Sequence, residues 1–128
     1  MENKVTITED DFYVDEVNNR IKMPQSGGIV TFTGVVRETT DDKKVSGIEI
    51  ESYKEMSIKK ISELIEQAKS KFNINEVEII HRVGKLKIGD NIVCISVSAP
   101  HRKDAFVACE WLIDELKKIA PIWKHDYV

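Results

Sequence analysis

Apolar and polar residues alternate with a period that changes several times along the chain, and each change marks an element. Val5 and Ile7 alternate with polar neighbours, which predicts a short strand; Phe12, Val14, Val17 and Ile21 then recur at helical spacing. The turn-forming "PQSGG" launches "GIVTFTGVVR", rich in β-branched residues. After the polar "ETTDDKK" comes a second alternating strand, "VSGIEIESY", and the short link predicts that these two strands pair as a hairpin. Ile58, Ile61, Leu64, Ile65, Ala68 and Phe72 fall on one face of a helix from Ser57 to Phe72, the clearest amphipathic pattern present. "NEVEIIHRVG" predicts a strand and "KLKIGD" a turn-rich link. "DNIVCISVSAP" predicts a strand apolar on both faces, hence central in its sheet. A last helix runs from about His101 to Ile119, is stopped by Pro121, and leaves "IWKHDYV" as a short extended tail. The order β-α-β-β-α-β-β-α-β predicts an α+β domain with a mostly antiparallel sheet.

Helical geometry sorts the residues of that last helix. At about 100° per residue, Ala105, Phe106, Leu112, Ile113 and Leu116 lie within roughly 60° of Cys109 and form its predicted buried face. Arg102 falls inside this sector, Lys117 at its edge and Lys118 on the far side. A guanidinium aimed at a core requires a carboxylate or phosphate partner. Lysines in a last turn have an ordinary explanation, since they complement the negative end of the helix dipole and lay their stems on apolar surface. The basic run His101, Arg102 and Lys103 has the wrong sign for a first turn. Either Asp104 and solvent make it tolerable, or an anion sits there. His101 also suits a simple N-terminal cap, and His81, on a strand, reads as a hydrogen-bonded core histidine rather than a ligand. Val107 and Trp111, one turn apart on the outer face, form an apolar patch for a partner or second subunit, unless the neighbouring tail covers it.

A chain of 128 residues with 41% apolar and 32% charged content reads as one domain spanning 1–128. The net charge of −3 argues against general nucleic-acid binding, so any anion site must be a local cluster of cations. No apolar run approaches the roughly 20 residues of a membrane span, and "MENKVTITEDD" lacks the apolar segment of a signal peptide. A cytoplasmic protein without membrane contact is expected. Cys94 and Cys109 have no metal-ligand spacing and read as buried free thiols rather than catalytic ones.

Five separated stretches, "GGIVTFTGVVR", "EIESYKEM", "IIHRVGKLKIGD", "SVSAPHRKDAF" and "LKKIAPIWKHD", resemble in this order the catalytic (large) subunit of molybdopterin synthase, the MoaE family. The resemblance runs from about Gly28 to Asp126. It implies an α/β hammerhead fold with an additional antiparallel sheet, working as a homodimer within a heterotetramer. It also implies a partner, a small ubiquitin-like sulfur carrier whose C-terminal Gly-Gly bears a thiocarboxylate. Two sulfurs from such tails convert cyclic pyranopterin monophosphate into the dithiolene of molybdopterin, with no metal or redox cofactor. The family's substrate pocket maps onto Val35, Val36, Arg37, His101, Arg102, Lys117, Lys124, His125 and Asp126. By this mapping His101 and Arg102 hold the substrate phosphate, Lys117 is the essential lysine near the thiocarboxylate, and Lys124 stabilises negative charge. Val35 stands where the family usually has a lysine, "WKHD" replaces "WKKE" or "WKRE", and the family's chain usually continues well past the position of Val128. The competing reading is a non-catalytic homologue, a dimeric module that binds a phosphorylated small molecule or a Gly-Gly-tailed partner. A plain structural domain explains the periodicities but not an inward Arg102.

Overall fold

The strand expected to be apolar on both faces is buried on both, and this double cover organises the molecule. Its second face nevertheless carries Ser96 and Ser98 beside Cys94, their hydroxyls bonded to Thr31, Asn18 and the Glu76 backbone. The structure, a computed structural model, describes residues 4–40, 42–119 and 122–127, with the backbone alone for 40, 119, 123 and 125–127. Its elements are β1 (Lys4–Thr8), α1 (Val14–Ile21), β2 (Gly28–Val35), β3 (Thr39–Thr40), β4 (Lys43–Lys44) and β5 (Gly47–Ser52), followed by α2 (Lys54–Lys71), β6 (Glu76–Arg82), β7 (Gly84–Lys87), β8 (Asn91–Ala99), α3 (Arg102–Ile119) and β9 (Ile122–Tyr127). As its composition predicts, β8 is internal, in a four-stranded sheet ordered β1-β6-β8-β2 that is antiparallel except for β1 beside β6. Val93, Ile95, Val97 and Ala99 pack with the buried faces of α2 and α3. Cys94 joins Phe12, Val17 and Ile80 under α1 on the other side.

After β8 the chain reverses at Pro100, and α3 returns along β8 and β2. The Gly27 N–H donates to the Ala99 carbonyl at 2.8 Å. A Cβ at Gly27 would collide with the Pro100 carbonyl oxygen, so this close passage requires glycine. The first turn of α3 thus stands over the start of β2 and its last turn over the end.

The predicted hairpin does not form. β2 pairs along its length with β8, while β5 sits between β7 and β9 in a separate antiparallel sheet. Pairing with the doubly buried β8 places Val30 of β2 against the main core, whereas Ile48 and Ile50 of β5 pack with Val36 and Leu86 in a smaller one. The polar link folds on itself as the β3–β4 ribbon. β5 offers two edges for pairing, so part of "KLKIGD" becomes β7 and the extended tail becomes β9. The outer patch on α3 is also split. Trp111 meets Phe72 edge-on at 5.8 Å between ring centroids, so the end of α2 covers it, while Val107 stays exposed.

Two carboxylates buried on β6 tie neighbouring elements to the sheet. The Arg20 guanidinium of α1 donates to both oxygens of Glu78, the shortest bond being 2.8 Å. Glu76 accepts from Lys69 at 3.0 Å and Lys4 at 3.2 Å. Burial pushes the Glu76 carboxyl up, but hydrogen bonds from Lys69 and Lys4 outweigh it and hold the group below its ordinary range. Glu78 is only 4% exposed, so Arg20→Met strands a carboxylate and should cost about 2 kcal/mol, read as a lower urea midpoint. Adding Glu78→Leu should recover most of that loss; an unchanged midpoint for the single variant would remove this pair as the anchor of α1.

Candidate functional site

A cavity of about 780 Å³ opens where the end of α3, the end of β2 and the smaller sheet converge. Its interior is largely apolar, with Phe32 from β2, Ile113 and Leu116 from α3, and Ile50 and Ile122 from β5 and β9. Near the end of β2 the register slips: Gly34 faces Val93 but Val35 faces Asn91, leaving Ile92 without a partner. This bulge explains why Ile92 and Val93, consecutive on a strand, both line the cavity. A Cβ at Gly34 would stand 2.8 Å from Val93 Cγ1, so glycine keeps this wall open.

Arg37, Lys117 and Lys124 reach the same cavity from three different segments, and all three are exposed. No carboxylate lines it among the described residues. A cationic mouth over an apolar interior suits a ligand with an anionic group on a less polar body. Helical geometry separated the adjacent lysines correctly. Lys117 lies on the cavity wall, whereas Lys118 is 68% exposed at its side chain and donates to Glu115 at 2.8 Å.

The structure does not bring His101 and Arg102 to this cavity. Both are exposed, and the backbone of Arg102 lies beside Gly28, at the opposite end of β2. At about 1.5 Å per residue, α3 carries Lys117 about 22 Å from Arg102. The inward Arg102 of the helical projection is therefore corrected: an angle about the axis does not say whether any core lies opposite the first turn, and burial begins only at Ala105. Phe106, at the limit of the same sector, is 61% exposed. Val35 lines the cavity, whereas Val36 turns its side chain into the small core and is 3% exposed. His125 and Asp126 lie on β9 opposite Glu49 and Ile48, and their side chains fall outside the described residues.

The family model described as "MoaE protein" matches residues 7–119. The chain belongs to the MoaE family. The molybdopterin synthase catalytic subunit of Thermoplasma volcanium is 43% identical over 95% of this chain and 89% of its own. That of Pyrococcus abyssi is 39% identical over 91% and 79%. The crystal structure of molybdopterin synthase from Staphylococcus aureus superposes with a TM-score of 0.89 at 35% identity, covering 98% of this chain and 90% of that one. The α+β architecture with its additional antiparallel sheet is thus a MoaE fold, and the expected activity, that of a molybdopterin synthase catalytic subunit in molybdenum cofactor biosynthesis, rests on these relatives.

Two features of this MoaE chain bear on the chemistry. Cys94 and Cys109 are 0% and 4% exposed, and burial pushes each thiol up to about 11, so neither presents a thiolate near neutrality. His81, expected in the core, is indeed buried at 9% exposure, yet it also lines the cavity. Alternation along β6 puts it on the face of Val77 and Ile79, and it stands opposite Val93; the strand pattern carried this signal, but not the cavity beside it. Burial pushes the His81 imidazole below its ordinary 6.5, against an opposing hydrogen bond with the Arg82 carbonyl. The unfolded chain therefore takes up this proton more readily than the folded one. The stability linked to His81 is complete above pH 6.5 and is lost as pH falls through the lowered value. Urea unfolding at about pH 7.5 and about pH 5 should show a smaller acid loss for His81→Phe than for the parent; equal losses would count against a neutral His81.

Proposed function

We propose that this chain transfers sulfur from the C-terminal thiocarboxylate of a small ubiquitin-like subunit to cyclic pyranopterin monophosphate, building the dithiolene of molybdopterin. The observation that carries this reading is the cavity that gathers Arg37, Lys117 and Lys124 over an apolar interior. Both ligands are anions, and the pterin is a flat heterocycle that an apolar interior accepts. The buried, unreactive thiols support a sulfur that arrives on another molecule rather than on a cysteine of this chain. In each delivery the thiocarboxylate sulfur bonds to a side-chain carbon of the pterin as an oxygen substituent leaves that carbon. Water then cleaves the tail's acyl C–S bond, leaving the sulfur on the pterin and returning the tail as a carboxylate, with two deliveries per product. Lys117, half on apolar surface and half in solvent, serves as the proton-transfer or nucleophilic amine, and Lys124 balances charge on the pterin or its phosphate.

The distance between the two cation groups favours a homodimer with shared sites. Among the described residues β2 is an edge strand with an unpaired side, and Phe32, Val35, Phe106 and Val107 are exposed apolar residues of β2 and α3. A twofold that pairs β2 with its copy sets the partner's start of β2 opposite this chain's Val35. The partner's first α3 turn, with its basic residues, then approaches this chain's Arg37 and Lys117.

Product formation by the chain with thiocarboxylated small subunit and cyclic pyranopterin monophosphate tests the activity; its absence with a competent partner would leave the non-catalytic binding module. Lys117→Ala should lower turnover by orders of magnitude while tail binding persists, and Lys118→Ala should be nearly silent. Full activity in both would reduce Lys117 to a dipole-complementing role. Arg102→Ala should weaken substrate binding by about 1.5 to 3 kcal/mol in calorimetry, and unchanged affinity would remove Arg102 from the site. Shared sites make a further demand. Subunit exchange between Arg102→Ala and Lys117→Ala chains rebuilds one intact site per mixed dimer, so an equal mixture should regain about a quarter of parental activity. No recovery despite exchange would mean that each chain works alone.

A further inference from the structure

The side chains of the cavity are rich in donors and poor in acceptors. Arg37, Lys117 and Lys124 can only donate when charged, and no carboxylate lines the wall among the described residues. Thr33 also lines the wall, but it stands opposite Cys94, whose side chain packs under α1, so strand alternation turns the Thr33 hydroxyl to that far face. His81 is different. It lies on β6, two strands in from the edge strand β2, so about 10 Å across the sheet from β2 at ordinary strand spacing. Its Nδ1 is 2.8 Å from the Arg82 carbonyl oxygen, which can only accept, so Nδ1 carries the hydrogen. In the neutral ring this leaves Nε2 with a bare lone pair, and no hydrogen bond to Nε2 occurs among the described residues. Burial opposes a second proton on the ring.

We infer that His81 Nε2 is the hydrogen-bond acceptor of the inner cavity, held in one tautomer by the Arg82 carbonyl to receive an N–H group of a bound ligand. The inference rests on the proposed function for the ligands themselves, since both carry suitable donors: the ring N–H groups of the pterin and the amide N–H groups of the Gly-Gly tail. His81 then reads the neutral part of a ligand whose charge is held at the mouth. A buried acceptor left without its donor is unfavourable, so a ligand lacking an N–H at this point is discriminated against.

The test follows the imidazole nitrogens directly. Long-range proton–nitrogen spectra of the histidine-labelled protein should show His81 as the Nδ1–H tautomer. Cyclic pyranopterin monophosphate alone is titrated in one arm, and the small subunit with an unmodified carboxylate tail in the other. Movement of Nε2 towards a hydrogen-bonded value, with Nδ1 unchanged, is expected in one arm, and the responding arm names the donor. In calorimetry, His81→Phe, which keeps a ring of similar shape, should weaken that ligand about tenfold, while His81→Gln, with an amide oxygen of similar reach, should lose much less. Thermal midpoints of both variants are measured alongside, so that binding is compared only between folded proteins. Calorimetric binding with Nε2 unmoved in both arms, or parental affinity in folded His81→Phe, would overturn the inference while leaving sulfur transfer intact. Binding with Nε2 movement but no product would overturn the transfer reading alone. If neither ligand binds, both fall.

Discussion

Burial of β8 on both faces is the constraint from which the remaining geometry follows. A strand carrying Val93, Ile95, Val97 and Ala99 on one side and Cys94 on the other must be covered by α2 and α3 above and by α1 below. The reversal at Pro100 then obliges α3 to retrace the strand it has just left. Eighteen helical residues and nine extended ones have nearly the same length, about 27 and 30 Å, so the two ends of α3 fall at the two ends of the sheet. The basic residues of its first turn and the lysines of its last turn are separated by this match of lengths, not by any local preference.

The chemistry of the MoaE chain depends on the same burial. Both cysteines are spent on packing, one on each side of β8, and the reactive groups of the cavity are nitrogen bases and cations instead. The cavity is assembled from segments that no single secondary element joins: the bulged end of β2, the last turn of α3 and β9 of the smaller sheet. Arg37, Lys117 and Lys124 meet because three chain directions end in one place.

Much of this was legible in the residues. Periodicity alone identified the three helices and the long strands, because each buries one face or both, and the angle about the α3 axis told Lys117 from Lys118. Pairing partners were not legible. β2 and β5 are neighbours in sequence, yet burial with β8 and with Leu86 sends them to different sheets, and alternation carries no information about which strand lies alongside. Arg102 was misread because a helical projection has no axial coordinate. His81 was correctly judged buried and hydrogen-bonded, but a cavity beside a core residue depends on distant segments. The family motifs gathered five basic residues into one pocket; a single chain holds three of them at one end of β2 and two at the other.

Gly34 has a consequence for how such a cavity diversifies. Its backbone belongs to the β2 ladder and any side chain there would meet Val93, whose β-branched rotamer yields little. A methyl group added at this position would have to displace Val93 or part β2 from β8, so the residue that keeps the wall open also protects the pairing behind it. Pocket size is thus tied at this position to strand register and core, so a lineage that trades one ligand shape for another must vary its cavity elsewhere on the wall.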